Sequence, residues 1–252
     1  MNLMQRILFL LLFCVVLPGT GAGAEDDVSL SLGMGFSADK TAYTKYDAVW
    51  SPRPIVNVDS ERFYVSGFDA GLYLLKEEPV TVSAFVSYND FSFSPSDSSD
   101  AKLRRLNKRY STVTGGVEVG LLTPVGLFEA RGAWDLLQQS DGFDCSLSWT
   151  GSLETGPVSL YPSLGVNWQS AGYLDYYYGV SGAEATKSGL EAYDAGPGWS
   201  PYAELAVDLR LTENWSVLLL LEGEMLSKSV RDSPMTDRDY TYGATTGLVY
   251  SF

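Results

Sequence analysis

Apolar and polar positions alternate along most of this 252-residue chain. In residues 240–252, Tyr242, Ala244, Thr246, Leu248, Tyr250 and Phe252 share one face, and Gly243, Thr245, Gly247, Val249 and Ser251 share the other. A period of two marks an extended strand, whose side chains point alternately to its two faces. Val28, Leu30, Leu32, Met34 and Phe36 alternate with serines and glycines in the same way. So do Val158, Leu160, Pro162, Leu164, Val166 and Trp168, and later Ala203, Leu205, Val207, Leu209 and Leu211. The pattern predicts strands near 28–37, 47–58, 62–67, 70–76, 79–90, 109–122, 125–138, 142–154, 157–170, 199–211, 214–230 and 240–252. That makes twelve. Residues 62–76 read either as a short hairpin about Phe68-Asp69 or as one strand, and the loss of a further weak element leaves ten as the even-numbered alternative.

The choice between a soluble sandwich and a membrane barrel turns on the polar face. No run of about 18 apolar residues is present, so no spanning helix is expected. The predicted strands instead have the length and dyad pattern of barrel crossings. Their polar faces are mostly Ser, Thr and Gly, whereas a solvated sheet face carries dense Lys and Glu. Trp50, Trp134, Trp149, Trp168, Trp199 and Trp215 lie in or beside predicted strands, as the aromatic girdles of a membrane barrel do. The expected fold is therefore all-β, a transmembrane antiparallel up-and-down β-barrel over residues 25–252. The tight connections at Lys76-Glu77-Glu78-Pro79, Thr123-Pro124, Thr155-Gly156-Pro157 and Thr212-Glu213-Asn214 would face the periplasm, and the long ones the outside.

Residues 1–24 carry Arg6, an apolar run from Ile7 to Leu17 and the small-residue site Ala22-Gly23-Ala24. They read as a secretory signal peptide cleaved after Ala24. Phe13 before Cys14 argues against a lipid anchor. Losing Arg6 takes the net charge from −14 to −15, which disfavours nucleic acid as a partner. Cys145 alone then remains, so no internal disulfide forms. Histidine is absent, which excludes every His-dependent mechanism and metal site. No catalytic constellation, cofactor motif or metal site is evident, and no enzyme is expected.

Two long connections carry candidate chemistry. Residues 91–108 hold Lys102, Arg104, Arg105 and Lys108, with Arg109 following. Arg104, Arg105 and Lys108 could contact lipopolysaccharide phosphates, or simply sit in a solvated loop that offsets nearby acids. Residues 171–199 hold Tyr176, Tyr177, Tyr178, Gly179 and Tyr193, either as a binding surface or folded inward to plug the barrel mouth. Gly179, Gly182, Gly189, Gly196 and Gly198 would supply its turns. The inward strand faces place Arg53, Glu129, Arg131, Glu204, Asp208, Arg210 and Glu222 in the lumen, beside Glu118, Asp135, Asp144 and Glu224. They would form either a narrow cation-preferring pore or a filled interior.

Several motifs, taken in order, carry a resemblance. The block DYYYGVSGAEATKSGLEAYDAGPGW, at residues 175–199, resembles a signature of the MipA/OmpV family of outer-membrane proteins. Ser51-Pro52-Arg53-Pro54-Ile55-Val56-Asn57-Val58 looks like that family's early proline-containing strand. Asp232-Ser233-Pro234-Met235 and the ending Gly247-Leu248-Val249-Tyr250-Ser251-Phe252 are similar to its late elements. The acidic Y-E-G-S element usual before the proline strand is not evident. Residues 246–252 also resemble the terminal signal, ending in Phe252, that the outer-membrane barrel insertion machinery reads. The resemblance implies location in the outer membrane of a Gram-negative cell. In some members it implies a scaffold that joins a lytic transglycosylase to a penicillin-binding protein in peptidoglycan metabolism. Other members look like porins or surface adhesins.

Overall fold

The computed structural model of the protein describes residues 28–252; the expected signal peptide, residues 1–24, lies outside them. The alternating segments form β1 Ser29–Lys40, β2 Val49–Asp59, β3 Phe63–Ser66, β4 Asp69–Glu77, β5 Val80–Asn89, β6 Thr112–Thr123 and β7 Gly126–Asp135. They continue as β8 Phe143–Thr150, β9 Leu153–Thr155, β10 Val158–Gln169, β11 Gly198–Arg210, β12 Trp215–Met225 and β13 Tyr240–Ser251. Both β8 and β9 lie along β10, interrupted only at Gly151-Ser152. They are one crossing, so the wall has twelve strands.

Every pairing is antiparallel and between successive crossings, and β13 closes the ring on β1 from Ser31↔Ser251 to Lys40↔Tyr242. Closure leaves no sheet edge along this seam, which is what lets strands span a membrane at all. Met34, Phe36, Leu72, Leu147, Leu164, Leu221 and Leu248 are exposed on the outer face, which hydrocarbon would cover. Among the described residues no helix is long and apolar enough to cross a membrane.

Aromatic rings gather at both rims. Trp134, Phe143, Trp168 and Trp199 touch in series across four crossings near the outer rim. At the periplasmic end Trp215, Tyr250 and Phe252 do the same. The expected tight turns all fall at this periplasmic end.

Residues 62–76 form a hairpin, turning at Gly67-Phe68, where Gly67 has φ +59°. Some expected strands are shorter than their patterns suggest. The one near 214–230 stops at Met225 because Ser227 accepts from Val230 N and starts a helical turn, α3 Lys228–Arg231. The one near 109–122 starts at Thr112, since Arg109 exchanges backbone hydrogen bonds with Phe93 instead.

Candidate functional site

Among the described residues, the long outer loops carry most of the buried apolar side chains. Loops β1–β2, β5–β6 and β10–β11 leave the ring about a third of its circumference apart, and loop β12–β13 rises beside the last. All four meet in one cluster: Tyr43 and Tyr46 from the first, Phe93, Leu103 and Leu106 from the second, Leu174, Tyr177, Tyr178 and Val180 from the third, Val230 and Met235 from the fourth. Loops rooted so far apart can share a core only by crossing the mouth. The cluster is therefore a cap over the outer end of the lumen.

Local sequence explains how the cap is built. Ser170 accepts from Tyr173 N and starts α1, Ala171–Tyr178; Ser181 and Glu184 form a capping box that starts α2, Gly182–Ser188. Helix α1 sends Tyr177 into the core, where its ring lies 4.9 Å from Phe91, 5.0 Å from Tyr173 and 4.8 Å from Tyr176. The hydroxyls are paired as well. Tyr43 Oη donates to Tyr177 O at 3.2 Å, Tyr177 Oη to Tyr110 O at 3.2 Å, and Tyr193 Oη to Ser229 O at 2.9 Å. Tyr176 Oη accepts from Tyr110 N at 2.8 Å. Burial pushes Tyr43, Tyr177 and Tyr178 well above the usual tyrosine range. It also takes Tyr46 to about 12, with the charge of Asp97 adding to a rise that a bond from Ser94 N–H partly offsets. These phenols stay neutral, so the interior of the cap rests on packing and hydrogen bonds, with one buried ion pair as the exception.

That exception is Arg109 with Glu184. Arg109 Nη1 donates to Glu184 Oε1 at 2.9 Å and Nη2 to Oε2 at 3.2 Å, a bidentate pair that joins the second loop to α2. Asn107 N and Ser181 Oγ also donate to the carboxylate, each at 2.9 Å. Burial alone would raise Glu184, but these bonds, Arg109's foremost, bring it down to about 2. Of the five glycines expected to shape this loop, only Gly189 needs a left-handed backbone, at φ +75°. Gly179 and Gly198 are required by close approach: a Cβ would lie 2.3 Å from Asp175 Oδ1 and from Ser227 Oγ respectively.

Beneath the cap is a cavity of about 630 Å³. Its lining holds six carboxylates, Asp39, Asp90, Asp97, Glu204, Glu222 and Glu224, against two cations, Lys40 and Arg53. The expected lumen charges thus separate into three zones. Arg53, Glu204 and Glu222 meet at the cavity. Arg131 sits in the middle of the barrel, paired with Asp69 at 2.7 Å and Glu118 at 3.2 Å and packed 3.6 Å over the Phe85 ring, with Glu129 two residues along on the same face. Asp208 and Arg210 lie toward the periplasmic end of β11, and no ion pair joins them among the described residues.

The basic cluster is also divided. Arg104, Arg105 and Lys108 are exposed, with Lys108 Nζ 5.1 Å from the Tyr110 ring, while Arg109 turns inward to Glu184. Sequence reasoning grouped Arg109 with its exposed neighbours and passed over Glu184. The Ser181-x-x-Glu184 spacing was a legible sign of a helix start, but nothing local marks the partner 75 residues away.

Known proteins share sequence with this chain over most of its length. The profile of the MltA-interacting protein MipA family matches residues 32–252. The chain is 33% identical over 238 residues to the MltA-interacting protein of Escherichia coli K12, covering 94% of this chain and 96% of that protein. It is 31% identical over 223 residues to the outer membrane protein YiaT of the same organism, covering 88% and 91%. Among solved structures the NanC porin aligns over 88% of this chain and 100% of its own, with a TM-score of 0.43 and 8% identity. A closed twelve-stranded barrel, relatives named as outer membrane proteins and a match across nearly the whole described chain lead to one conclusion: this is an outer-membrane β-barrel that belongs to the MltA-interacting protein MipA family.

Proposed function

We propose that this barrel acts by contact rather than by passage, as a scaffold that brings a murein-cleaving lytic transglycosylase together with a penicillin-binding murein synthase. The observation that carries this reading is the cap, whose buried aromatic core draws four loops together over the outer mouth, an arrangement that suits contact better than flux. The name of the 33% identical relative supports the transglycosylase as one partner. The reading calls on no His-dependent chemistry, and the chain has no histidine. The exposed Arg104, Arg105 and Lys108 suit lipopolysaccharide phosphates beside the cap.

Co-purification of the folded full-length protein with each murein enzyme, alongside planar-bilayer recording, tests the reading. The expected result is a stable complex from a barrel that conducts little. Reproducible cation-selective steps from protein that retains neither enzyme would overturn it. They would favour a second reading, a narrow cation-preferring porin, for which the six-carboxylate cavity is the supporting observation.

A further inference from the structure

One part of the wall is only half built. The β3–β4 hairpin stops at Gly67-Phe68, pinned by Gly67 N–H to Val56 O at 2.9 Å on one flank and by Tyr88 N–H to Phe68 O at 3.1 Å on the other. Above this tip β2 continues from Ile55 up to Val49, paired with β1 on one side and with no strand on the other among the described residues. On the far side β5 ends at Asn89 and its last two residues lie beyond the β4 ladder. Two strand widths, roughly 10 Å at the usual spacing, are missing from the outer half of the barrel.

The proline motif of β2 fits this breach. In an antiparallel ladder alternate residues turn their N–H and C=O groups to opposite sides. Val56 O is bonded toward the hairpin, so Pro52 and Pro54, in phase with it, turn their backbone edge into the breach. Proline has no N–H, so the strand offers no unsatisfied donor at those positions to the bilayer and no template for another strand. The Ser51-Pro52-Arg53-Pro54 run is built to stand without a neighbour.

Arg53 lies across the opening. Its Nη1 bonds Asp90 just beyond β5, its Nε donates to Ser37 Oγ at 3.1 Å, and its guanidinium is 5.4 Å from the Phe68 ring at the hairpin tip. Behind it is the acidic cavity, and Val49, Ser51, Arg53, Asp90, Phe91 and Ser92 both rim the breach and line that cavity. Thr41 Oγ1, also in the lining, is buried without a hydrogen-bond partner.

We propose that the breach is a lateral port between the outer leaflet and the cavity, latched by Arg53, and that its ligand is a single-chain amphiphile with a primary-amine head. The ammonium would settle among Glu204, Glu222 and Glu224, displacing Arg53 from Asp90 as it enters. The alkyl chain would lie through the breach between Pro52 and Phe68 and end in the bilayer.

The test uses folded full-length protein in phosphatidylcholine vesicles and a diazirine-bearing dodecylamine, with adducts mapped by mass spectrometry. Saturable adducts should concentrate at residues 49–55, 67–69 and 88–92. Dodecylamine should compete at least tenfold better than butylamine or dodecyl sulfate. E222Q/E224Q, checked for folding by heat-dependent gel mobility, should lose those adducts about tenfold and keep the background labelling of the outer belt. Equal competition by butylamine would mean entry from water and would overturn the port. Equal competition by dodecyl sulfate would overturn the amine specificity, and adducts spread evenly around the belt would overturn the site. These outcomes are read on the unmodified protein, so they decide the question even if the double variant does not fold.

Discussion

Replacing Glu184 with Gln isolates the one buried charge pair of the cap. The substitution keeps the shape of the side chain, but it trades one accepting oxygen for an NH2 that only donates and leaves the Arg109 guanidinium without its counter-charge. Glu184 is 4% exposed, so solvent screens the pair little. Its carboxyl is held at about 2 against an ordinary 4.5. At about 1.4 kcal/mol per unit the ionised carboxylate, with its bonds from Arg109, Asn107 and Ser181 together, contributes about 3 kcal/mol at neutral pH, near the lower end of what breaking a buried pair costs. That figure predicts an increase of about a hundredfold in the population of cap-open molecules. The sign with pH follows from a depressed carboxylate. The contribution is complete above the ordinary value, declines as pH falls from about 4.5 toward 2, and is gone below the folded-state value. Amide hydrogen exchange of peptides from residues 171–195, normalised to barrel-strand peptides, is the assay. Glu184→Gln should speed cap exchange about a hundredfold at pH 7 and abolish the selective loss of protection in acid. Protection within twofold of the unsubstituted protein, or an acid response that persists in the variant, would refute this assignment.

Three further outcomes test the cap. Tyr177→Ala removes a fully buried ring, which should cost about 3–5 kcal/mol of cap stability and bring conductance steps to a barrel that still shows heat-dependent gel mobility. Deletion of residues 176–193 should raise conductance further, and no change in planar-bilayer recordings would count against the cap as the barrier. Gly189→Ala meets nothing within 4 Å, so only the left-handed backbone at φ +75° is penalised. A loss of about 1 kcal/mol should appear as roughly fivefold faster exchange in α2, with the barrel unaffected.

The sequence by itself determined the wall. Each crossing must show apolar side chains to hydrocarbon and small or polar ones to the lumen, so the period of two is written locally in every strand, from Met34 and Phe36 to Leu248 and Tyr250. Turn residues such as Gly156-Pro157 separate the strands, and even the Gly67-Phe68 hairpin was readable to within one residue. The helix starts at Ser170 and Ser181 went unread, although each cap acts within three residues. Only the tertiary structure decided what the loops and the lumen do. Tyr43, Phe93, Tyr177 and Met235 share one core although each belongs to a different loop, and no local pattern records that meeting. Arg109 looks like its exposed neighbours until the ring brings Glu184 to it. Pro52 and Pro54 carry only a family resemblance in the sequence, until the height of the β3–β4 hairpin shows that their edge has no partner among the described residues. Periodicity reports which way a side chain points from its own strand, whereas what it meets across a ring depends on closure, register and loop length together.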